Sequence, residues 1–527
     1  MKATKYLVLF LILLWGAVVL EAQVPQWQWA VCAGGSSGVD ASKSIAIDSQ
    51  GNQYITGSFA GTVTFGSHTL TENGYRDVFV AKLDPSGNWL WAVHAGGVRT
   101  DYGYDIALDG AGNIWVTGSF VHEITFGSYT LTSGSNYSDI FIAKLDPDGN
   151  WLWAVMTGGI GDDETAAIAI DGEGKAWVTG SFAGTATFGN HTLTANNNSI
   201  FVAKLDPDGN WLWAVNIGGT KPYYIALDGA GNAYVAADNY VAKLDSTANW
   251  LWAAQTGNTI PSDIDVDGEG NAWVTGGFEG TATFGTHVLT VNGYVFDTRI
   301  YVAKVDPSGN WLWAVKAGGI GREWGKSIAV NDDGNAWVTG VFTNTGTFGS
   351  HTLTASGWDD IFVGKLDASG NWLWVVNAGG TSDGDEPRDI ALDGVGNVYV
   401  TGVFEGTATF GSHTLTASGF KDIFVAELEH VTPLEDEISP QAVARLHNAY
   451  PNPLNRGGSA LIKADIPERS SGILSIFNLR GQIVAQHKLG PGSQQVSFSG
   501  EGLPAGVYLY SLQCRDYKET RKLVLMK

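Results

Sequence analysis

Cysteine is almost absent from this chain, with only Cys32 and Cys514 in 527 residues. The two lie in segments of different character, which excludes a disulfide framework, so the fold must hold itself together by burying apolar surface. Charge is scarce as well, 16% of residues against roughly a quarter in ordinary globular proteins. Basic residues are the scarcer sign: 30 Lys and Arg face 53 Asp and Glu, for a net charge of −23. That balance argues against nucleic acid and anionic membranes as partners. Long apolar runs are missing except over residues 7–20, which is short for a membrane span. Lys2 and Lys5 precede that run and Glu21-Ala22-Gln23 follows it, so residues 1–22 read as a signal peptide cleaved after Ala22. No Cys follows the cut to carry a lipid, and no transmembrane segment is expected in the mature chain.

What is abundant is glycine (70 residues) and tryptophan (21), a mixture that suits many short strands joined by tight turns. A Trp-x-Trp pair recurs at Trp27, Trp89, Trp151, Trp211, Trp250, Trp311 and Trp372, at intervals of 62, 62, 60, 39, 61 and 61 residues. The short copy, 211–249, is the minimal unit. It contains YIALD, AYVAA and NYVAKLD, and the next copy opens with WLWAA, which makes four alternating segments separated by Gly, Asn and Asp. The other copies add about 21 residues between the second and third strands. The insert, as in TVTFGSHTLT over 62–71, reads as a hairpin.

Four-stranded units of this size predict propeller blades, here seven of them. The ends complement one another. The first copy lacks the FVAKLD strand that should precede WQWAV, and the last copy, ending in DIFVAELE over 422–429, lacks a Trp-x-Trp strand after it. Pairing 27–31 beside 424–428 seals a ring and leaves no open sheet edge. Gly51, Gly112, Gly174, Gly231, Gly270, Gly334 and Gly396 hold one turn position in all copies, which calls for a positive φ. Each Trp-x-Trp pair sets two indoles on one face of its strand, and the pairs are expected to join neighbouring blades. A fully buried indole contributes roughly 4–6 kcal/mol at about 25 cal/mol/Å².

The segments DIFVAKLDPSGNWLWAV, AGG and IALDGAGNVYVTG resemble the seven-bladed β-propeller repeats of bacterial exported proteins, over residues 27–429. The resemblance implies a fold and no single activity.

After a linker at 430–444 the composition shifts. From residue 445 onward there are 11 basic and 5 acidic residues, and residues 23–444 carry −30. Alternating segments ALIKADI, ILSIFNL, QIVAQHKL, QQVSFS and VYLYSLQ predict a small Ig-like β-sandwich over 445–527. Its motifs are Tyr450-Pro451-Asn452-Pro453, SIFNLRGQIV, LPAGVYLYSLQ with Gly506 and Tyr508, and a final stretch from Lys522 to Lys527. Together they resemble the type A C-terminal sorting domain of type IX secretion, found in Bacteroidetes and relatives. Leu454-Asn455-Arg456 departs from the Phe-Asn-Pro that many members carry there. The resemblance implies the type IX machinery as partner and a secreted or outer-membrane surface location.

No nucleophile elbow, zinc motif or phosphate loop is present. His68, His191, His287, His351 and His413 repeat one hairpin position on separate blades, which keeps them apart as metal ligands. The Asp-Pro-Asp-Gly-Asn turns at 146–150 and 206–210 fail the twelve-residue calcium pattern, because position six from Asp146 is Trp151. No cofactor is expected, with weak calcium binding at these Asp-rich turns left open.

If the IALD strand is innermost and Trp-x-Trp outermost, the loops after AGG and the hairpins share one face. Tyr75, Tyr137, Tyr294, Trp358 and Phe420 stand at the hairpin ends there, with Trp324 and the acids Asp162, Asp163, Glu164, Asp383, Asp385 and Glu386 in the neighbouring loops. These aromatics are candidates for stacking on a glycan or gripping a protein partner. Packing each hairpin onto its own blade is their competing role. The function expected is non-enzymatic binding or adhesion. An extracellular polysaccharide-acting enzyme and a passive structural surface protein are the alternatives.

Overall fold

The computed structural model describes residues 24–219, 222–291, 297–382 and 384–429. In the C-terminal part it describes 445–447, 449, 452, 454, 458–466, 471–490, 492–514 and 517–526. Among the described residues there are strands and turns and no helix. Contacts divide the chain into two compact units, Val24–Val431 and a second that holds the C-terminal strands.

The large unit repeats one element, a propeller-like quartet of antiparallel strands. In its first full instance Ala41–Ile47 pairs with Gln53–Phe59, which pairs with Asp77–Leu83, which pairs with Trp89–Ala95. The short copy repeats the order with Pro222–Leu227, Ala233–Ala237, Tyr240–Leu244 and Trp250–Gln255. Hairpins such as Thr62–Phe65 with His68–Thr71 lie between the second and third strands of the longer copies. The N-terminal strand Trp27–Ala33 runs antiparallel to Asp422–Leu428, with Ala30 opposite Ala426 and Ala33 opposite Ile423. It thereby completes the quartet begun by Glu386–Leu392 and Val398–Phe404.

The first strands of successive quartets pack against one another: Ala41–Ile47 on Tyr102–Leu108, and onward through Glu164–Ile170, Pro222–Leu227, Gly257–Val266, Trp324–Val330 and Glu386–Leu392, which returns to Ala41–Ile47. The Trp-x-Trp strands are the outer members.

The two indoles of each pair have different tasks, a refinement of the expectation that both join blades. The first packs edge-on against the hairpin Phe of its own copy, as Trp89 does on Phe65 at 5.0 Å. The second reaches the next copy. Trp91 Nε1 donates to the Pro147 carbonyl at 3.3 Å, and Trp252 Nε1 to Pro307 at 2.9 Å. The short copy has no hairpin, and its first indole, Trp250, is 46% exposed. The shared turn glycines have φ between +77° and +95°, the left-handed region expected of them.

The Ala-Gly-Gly that ends most outer strands has a steric origin. A Cβ on Gly97 would lie 1.8 Å from the Glu123 carbonyl oxygen of the next copy's hairpin, and one on Gly96 would overlap the Asp77 carboxyl. The glycines admit a hydrogen-bonded hairpin on one side and a buried carboxylate on the other. Thr125 N donates to the Gly96 carbonyl at 3.2 Å. Gly218 precedes the copy without a hairpin, and a Cβ there would meet nothing within 4 Å.

In the second unit Arg445–Leu446, Ser459–Ile466 and Gly492–Ser499 form one sheet. Ile483–Leu489, Gly472–Asn478, Gly506–Cys514 and Tyr517–Leu525 form another. A core that includes Leu474, Ile476, Tyr510 and Leu523 is fully buried. Cys32 and Cys514 are both free thiols.

Candidate functional site

Four of the aromatics proposed from sequence stand out from the molecule: Tyr75 is 70% exposed, Tyr137 53%, Trp358 74% and Phe420 60%. Side chains that exposed do not pack their hairpins down; the hairpin phenylalanines do that. The loops carrying them are tied from below, where Asn73 N and Ser418 N donate to the carboxylates of Asp77 and Asp422 at the start of the third strands. Neighbouring loops are also stitched by backbone, as Asp101 N to the Arg76 carbonyl and Asp40 N to the Lys421 carbonyl. Tyr294 lies outside the described residues. Trp324 departs from expectation: it opens a first strand instead of riding in the loop, is only partly exposed, and donates through Nε1 to Ser262 Oγ at 2.6 Å.

The acidic loop residues are largely structural. Asp385 accepts from Gly380 N and Glu405 N, and Asp163 accepts from Ala183 N. Both are fully buried, whereas Asp162 is exposed and receives Ser138 N. Asp383 lies outside the described residues. Each buried loop acid meets the third-strand Asp of the preceding copy. A Cβ on Gly158 would lie 2.1 Å from Asp139 Oδ1 and 3.1 Å from Asp163 Oδ2, so both oxygens border the space beside this glycine. Neither has a hydrogen-bond partner among the described residues. Burial first, with repulsion from Asp139 and Asp162 added, pushes Asp163 up to about 7. One junction replaces the pair with opposite charges: Arg299 Nη1 lies 3.0 Å from Glu323 Oε2.

The Asp-rich turns, where the sequence left weak calcium binding open, have carboxylates that are already engaged. Asp146 Oδ1 accepts from Asp148 N and Asn150 N, and Oδ2 accepts from Asn150 Nδ2. A cation there would have to displace the turn's own donors. The five hairpin histidines each sit opposite a Phe of their own hairpin. No group of three or more His, Cys, Asp or Glu suited to a metal is found among the described residues.

The feature that sequence reasoning missed is at the mouth of the inner strands. Every first strand carries a β-bulge near its start, between Ser42 and Ser44, Gly103 and Asp105, Thr165 and Ala167, Pro222 and Tyr224, Pro261 and Asp263, Gly325 and Ser327, and Pro387 and Asp389. A bulge inserts one unpaired residue and re-aims its side chain. The inserted residues include Lys43, Tyr104, Ala166, Ser262, Lys326 and Arg388. All six line one cavity of about 250 Å³, together with Thr165 and Tyr224. Its cations come from three consecutive copies. Glu386 pairs with two of them, Lys326 Nζ at 2.6 Å and Arg388 Nη2 at 2.8 Å. Burial, then the nearby Arg388 cation, pushes the Lys43 ammonium down to about 8.

One residue deeper is a chain of buried groups. Ser44 Oγ contacts Asp105 Oδ1 at 2.6 Å and Asp389 Oδ2 at 2.8 Å; Ser327 Oγ contacts Asp263 Oδ2 at 2.6 Å and Asp389 Oδ1 at 2.8 Å. Each hydroxyl has one proton to donate, so its second short contact needs a proton from a carboxyl. Burial raises all three carboxyls, Asp105 to about 7. The proton count thus places two protons among these three carboxyls close beneath the basic mouth. The sequence signal was available in the repeat itself: aligned on Ile-Ala-Leu-Asp, the position two before Ile is Lys, Tyr, Ala, Tyr, Ser, Lys and Arg across the copies, while the Ile itself is invariant.

In the C-terminal unit Asn452 acts as a side-chain bridge. Its Nδ2 donates to the Lys522 carbonyl at 2.8 Å and its Oδ1 accepts from Val524 N at 2.9 Å. Leu454 N donates to the Val524 carbonyl, and the Leu454 carbonyl accepts from Met526 N. The first and last motifs proposed for sorting are therefore joined. Gly506 opens a strand, and Tyr508 is buried with its hydroxyl on the Pro504 carbonyl at 2.8 Å. Ala22, Tyr450, Pro451, Pro453 and Lys527 lie outside the described residues.

Comparison with known proteins matches residues 448–526 to the secretion system C-terminal sorting domain and residues 373–403 to a β-propeller repeat. An uncharacterised WD repeat-containing protein of Acanthamoeba polyphaga mimivirus is 24% identical over 445 residues, covering 71% of this chain and 31% of the relative. The regulatory protein FlaEY of Caulobacter vibrioides is 29% identical over 110 residues, covering 20% and 12%. The chain thus spans less than a third of either relative. Among solved structures, the Dos1 propeller is similar at 12% identity and a TM-score of 0.33, over 80% of this chain and 95% of that one.

Proposed function

We propose, from the premise that this chain joins β-propeller repeats to a type IX sorting domain, that it is an exported, non-enzymatic binding protein. The sorting domain marks it for the cell surface or the extracellular space. In this reading residues 23–429 close into a seven-bladed propeller, the tail is an Ig-like sandwich, and the loop face grips a glycan or a surface protein. The observation that carries the reading is the set of exposed aromatics on one face, Tyr75, Tyr137, Trp358 and Phe420, raised on loops that are tied down beneath them. Exposed rings on a rigid frame bind with little ordering cost. The buried loop acids favour binding over hydrolysis, because Asp163 and Asp385 are held by backbone N–H groups instead of facing a substrate.

The test is a glycan array and a surface-protein screen with the full chain, repeated with Tyr75, Tyr137 and Trp358 all changed to Ala. Binding should fall at least tenfold with the circular dichroism spectrum and melting temperature unchanged. Retained binding, or turnover of a polysaccharide on the array, would reject the reading.

A further inference from the structure

The bulge-lined cavity has the opposite electrostatic character to the rest of the molecule. The chain carries a net charge of −23, yet Lys43, Lys326 and Arg388 converge on this mouth with Glu386 as the carboxylate paired to two of them. The Lys43 ammonium forms no ion pair or hydrogen bond among the described residues, and Arg388 Nε is buried without a partner. Two cationic groups thus retain unused donors inside a concave site. Such donors cost free energy unless something accepts from them.

The neighbouring residues narrow the kind of acceptor. The carboxyls just below, Asp105, Asp263 and Asp389, are occupied by serine hydroxyls and backbone N–H groups and are held largely neutral by the proton count. They do not supply a full counter-charge to the mouth. Across the cavity from the cations stand Tyr104, Tyr224, Thr165, Ala166 and Ser262, a wall of rings and hydroxyls of the kind that meets a sugar ring and its hydroxyl groups. A volume of about 250 Å³ admits one small ring with its substituent.

The repeat lattice argues that the mouth is specialised. The Ile two residues beyond the bulge recurs in every copy and is buried in each, where it packs the ring of inner strands. The bulged residue, which the ladder does not use, varies, and its three basic versions fall in consecutive copies. A structural role common to all copies would not need that arc.

We propose that this mouth is a binding site for the anionic group of an acidic saccharide, with Lys43, Arg388 and Lys326 receiving a carboxylate or sulfate and Tyr104 and Tyr224 meeting the ring. The inference rests on the loop face being the binding face and names the chemistry taken at its centre. Arg provides the planar fork suited to an oxyanion and Lys43 adds a point charge. The positive arc also draws an anion past an otherwise acidic surface, so affinity should fall as salt is raised.

The experiment is isothermal titration calorimetry of the full chain at low ionic strength. The probes are D-glucuronate, glucose 6-sulfate, glucose and inorganic sulfate. At least one acidic sugar should bind tenfold or more tightly than glucose and than inorganic sulfate, and the two acidic sugars separate carboxylate from sulfate as the preferred group. Lys43→Gln and Arg388→Gln should each weaken it tenfold or more. Lys175→Gln, which removes a cation paired to Glu173 on a distant turn, should leave it unchanged. If either mouth variant fails to fold, Ala166→Glu places a like charge in the cavity at a partly exposed position and should weaken the acidic sugar by a similar factor. Absence of binding by both acidic sugars, equal binding of inorganic sulfate, or insensitivity to the mouth variants overturns the proposal. These probes are monosaccharides, so their result stands apart from the array test of the aromatic rim.

Discussion

The buried carboxyls at the junctions between copies give a quantitative prediction. Asp139 Oδ1 and Asp163 Oδ2 are both buried beside Gly158 without a hydrogen-bond partner among the described residues. Burial first, with repulsion from Asp139 added, raises Asp163 to a pKa of about 7, so that it stays protonated below neutral pH. Asp163→Asn replaces the protonated acid with a neutral amide of the same shape. The folded pKa lies above the unfolded value, so the stabilising protonated form is fully present below about pH 4 and is lost as pH rises through 7. A shift of that size corresponds to at most about 4 kcal/mol at high pH, and to about 2 kcal/mol once solvent screening at a loop junction is counted. In a domain this large, that is a rise in melting temperature of about 2–4 °C. Thermal melts of the wild type and the variant should coincide at or below pH 4, and the variant should melt higher at pH 8.5. Equal destabilisation by Asp163→Asn at both pH values would refute the raised pKa of Asp163.

Two further substitutions test the packing argument by contrast between copies. Gly97→Ala must move a backbone carbonyl found 1.8 Å from the new Cβ and should cost about 3 kcal/mol, seen in the urea midpoint. Gly218→Ala, in open space at φ +73°, should cost only the about 1–2 kcal/mol of the left-handed backbone. Lys304→Met strands Asp267, whose Oδ2 it meets at 2.9 Å in the interior, and should lose about 3–5 kcal/mol in the same measurement. Lys365→Met should be nearly neutral, because that copy carries Asn331 at the turn position where others carry Asp, and Lys365 lies over the Trp337 ring at 4.5 Å.

Much of this architecture is legible in the chain's periodicity. The 61-residue spacing of Trp-x-Trp, the glycine turns and the complementary strands at residues 27 and 424 all leave their mark on period and composition, and the pairing of Trp27–Ala33 with Asp422–Leu428 follows from them. The exposed aromatics are legible too, since Tyr75 and Trp358 interrupt polar hairpin ends where nothing in the strand pattern asks for a ring. The basic mouth is not. Alternation tells which face a strand residue takes, but a bulge shifts that register by one, so Lys43 and Arg388 read as loop-to-strand borders. Trp324 escapes for the same reason, being the first residue of a strand whose regular alternation starts only after the bulge. The junction acids are hidden because a buried carboxylate capped by backbone N–H groups and an exposed loop acid look alike in sequence.

The pairing of Trp27–Ala33 with Asp422–Leu428 has a consequence for how the molecule is made. Gln28 and Glu429, which meet through a hydrogen bond, are 401 positions apart. The first strand to leave the ribosome therefore waits for almost the last, and loop closure over such a span is slow. Throughout that wait, and in every product truncated before residue 422, one strand remains without its mate. A chain shortened in that way is thus left with an adhesive seam that the full-length one conceals, and association through it sets the two apart.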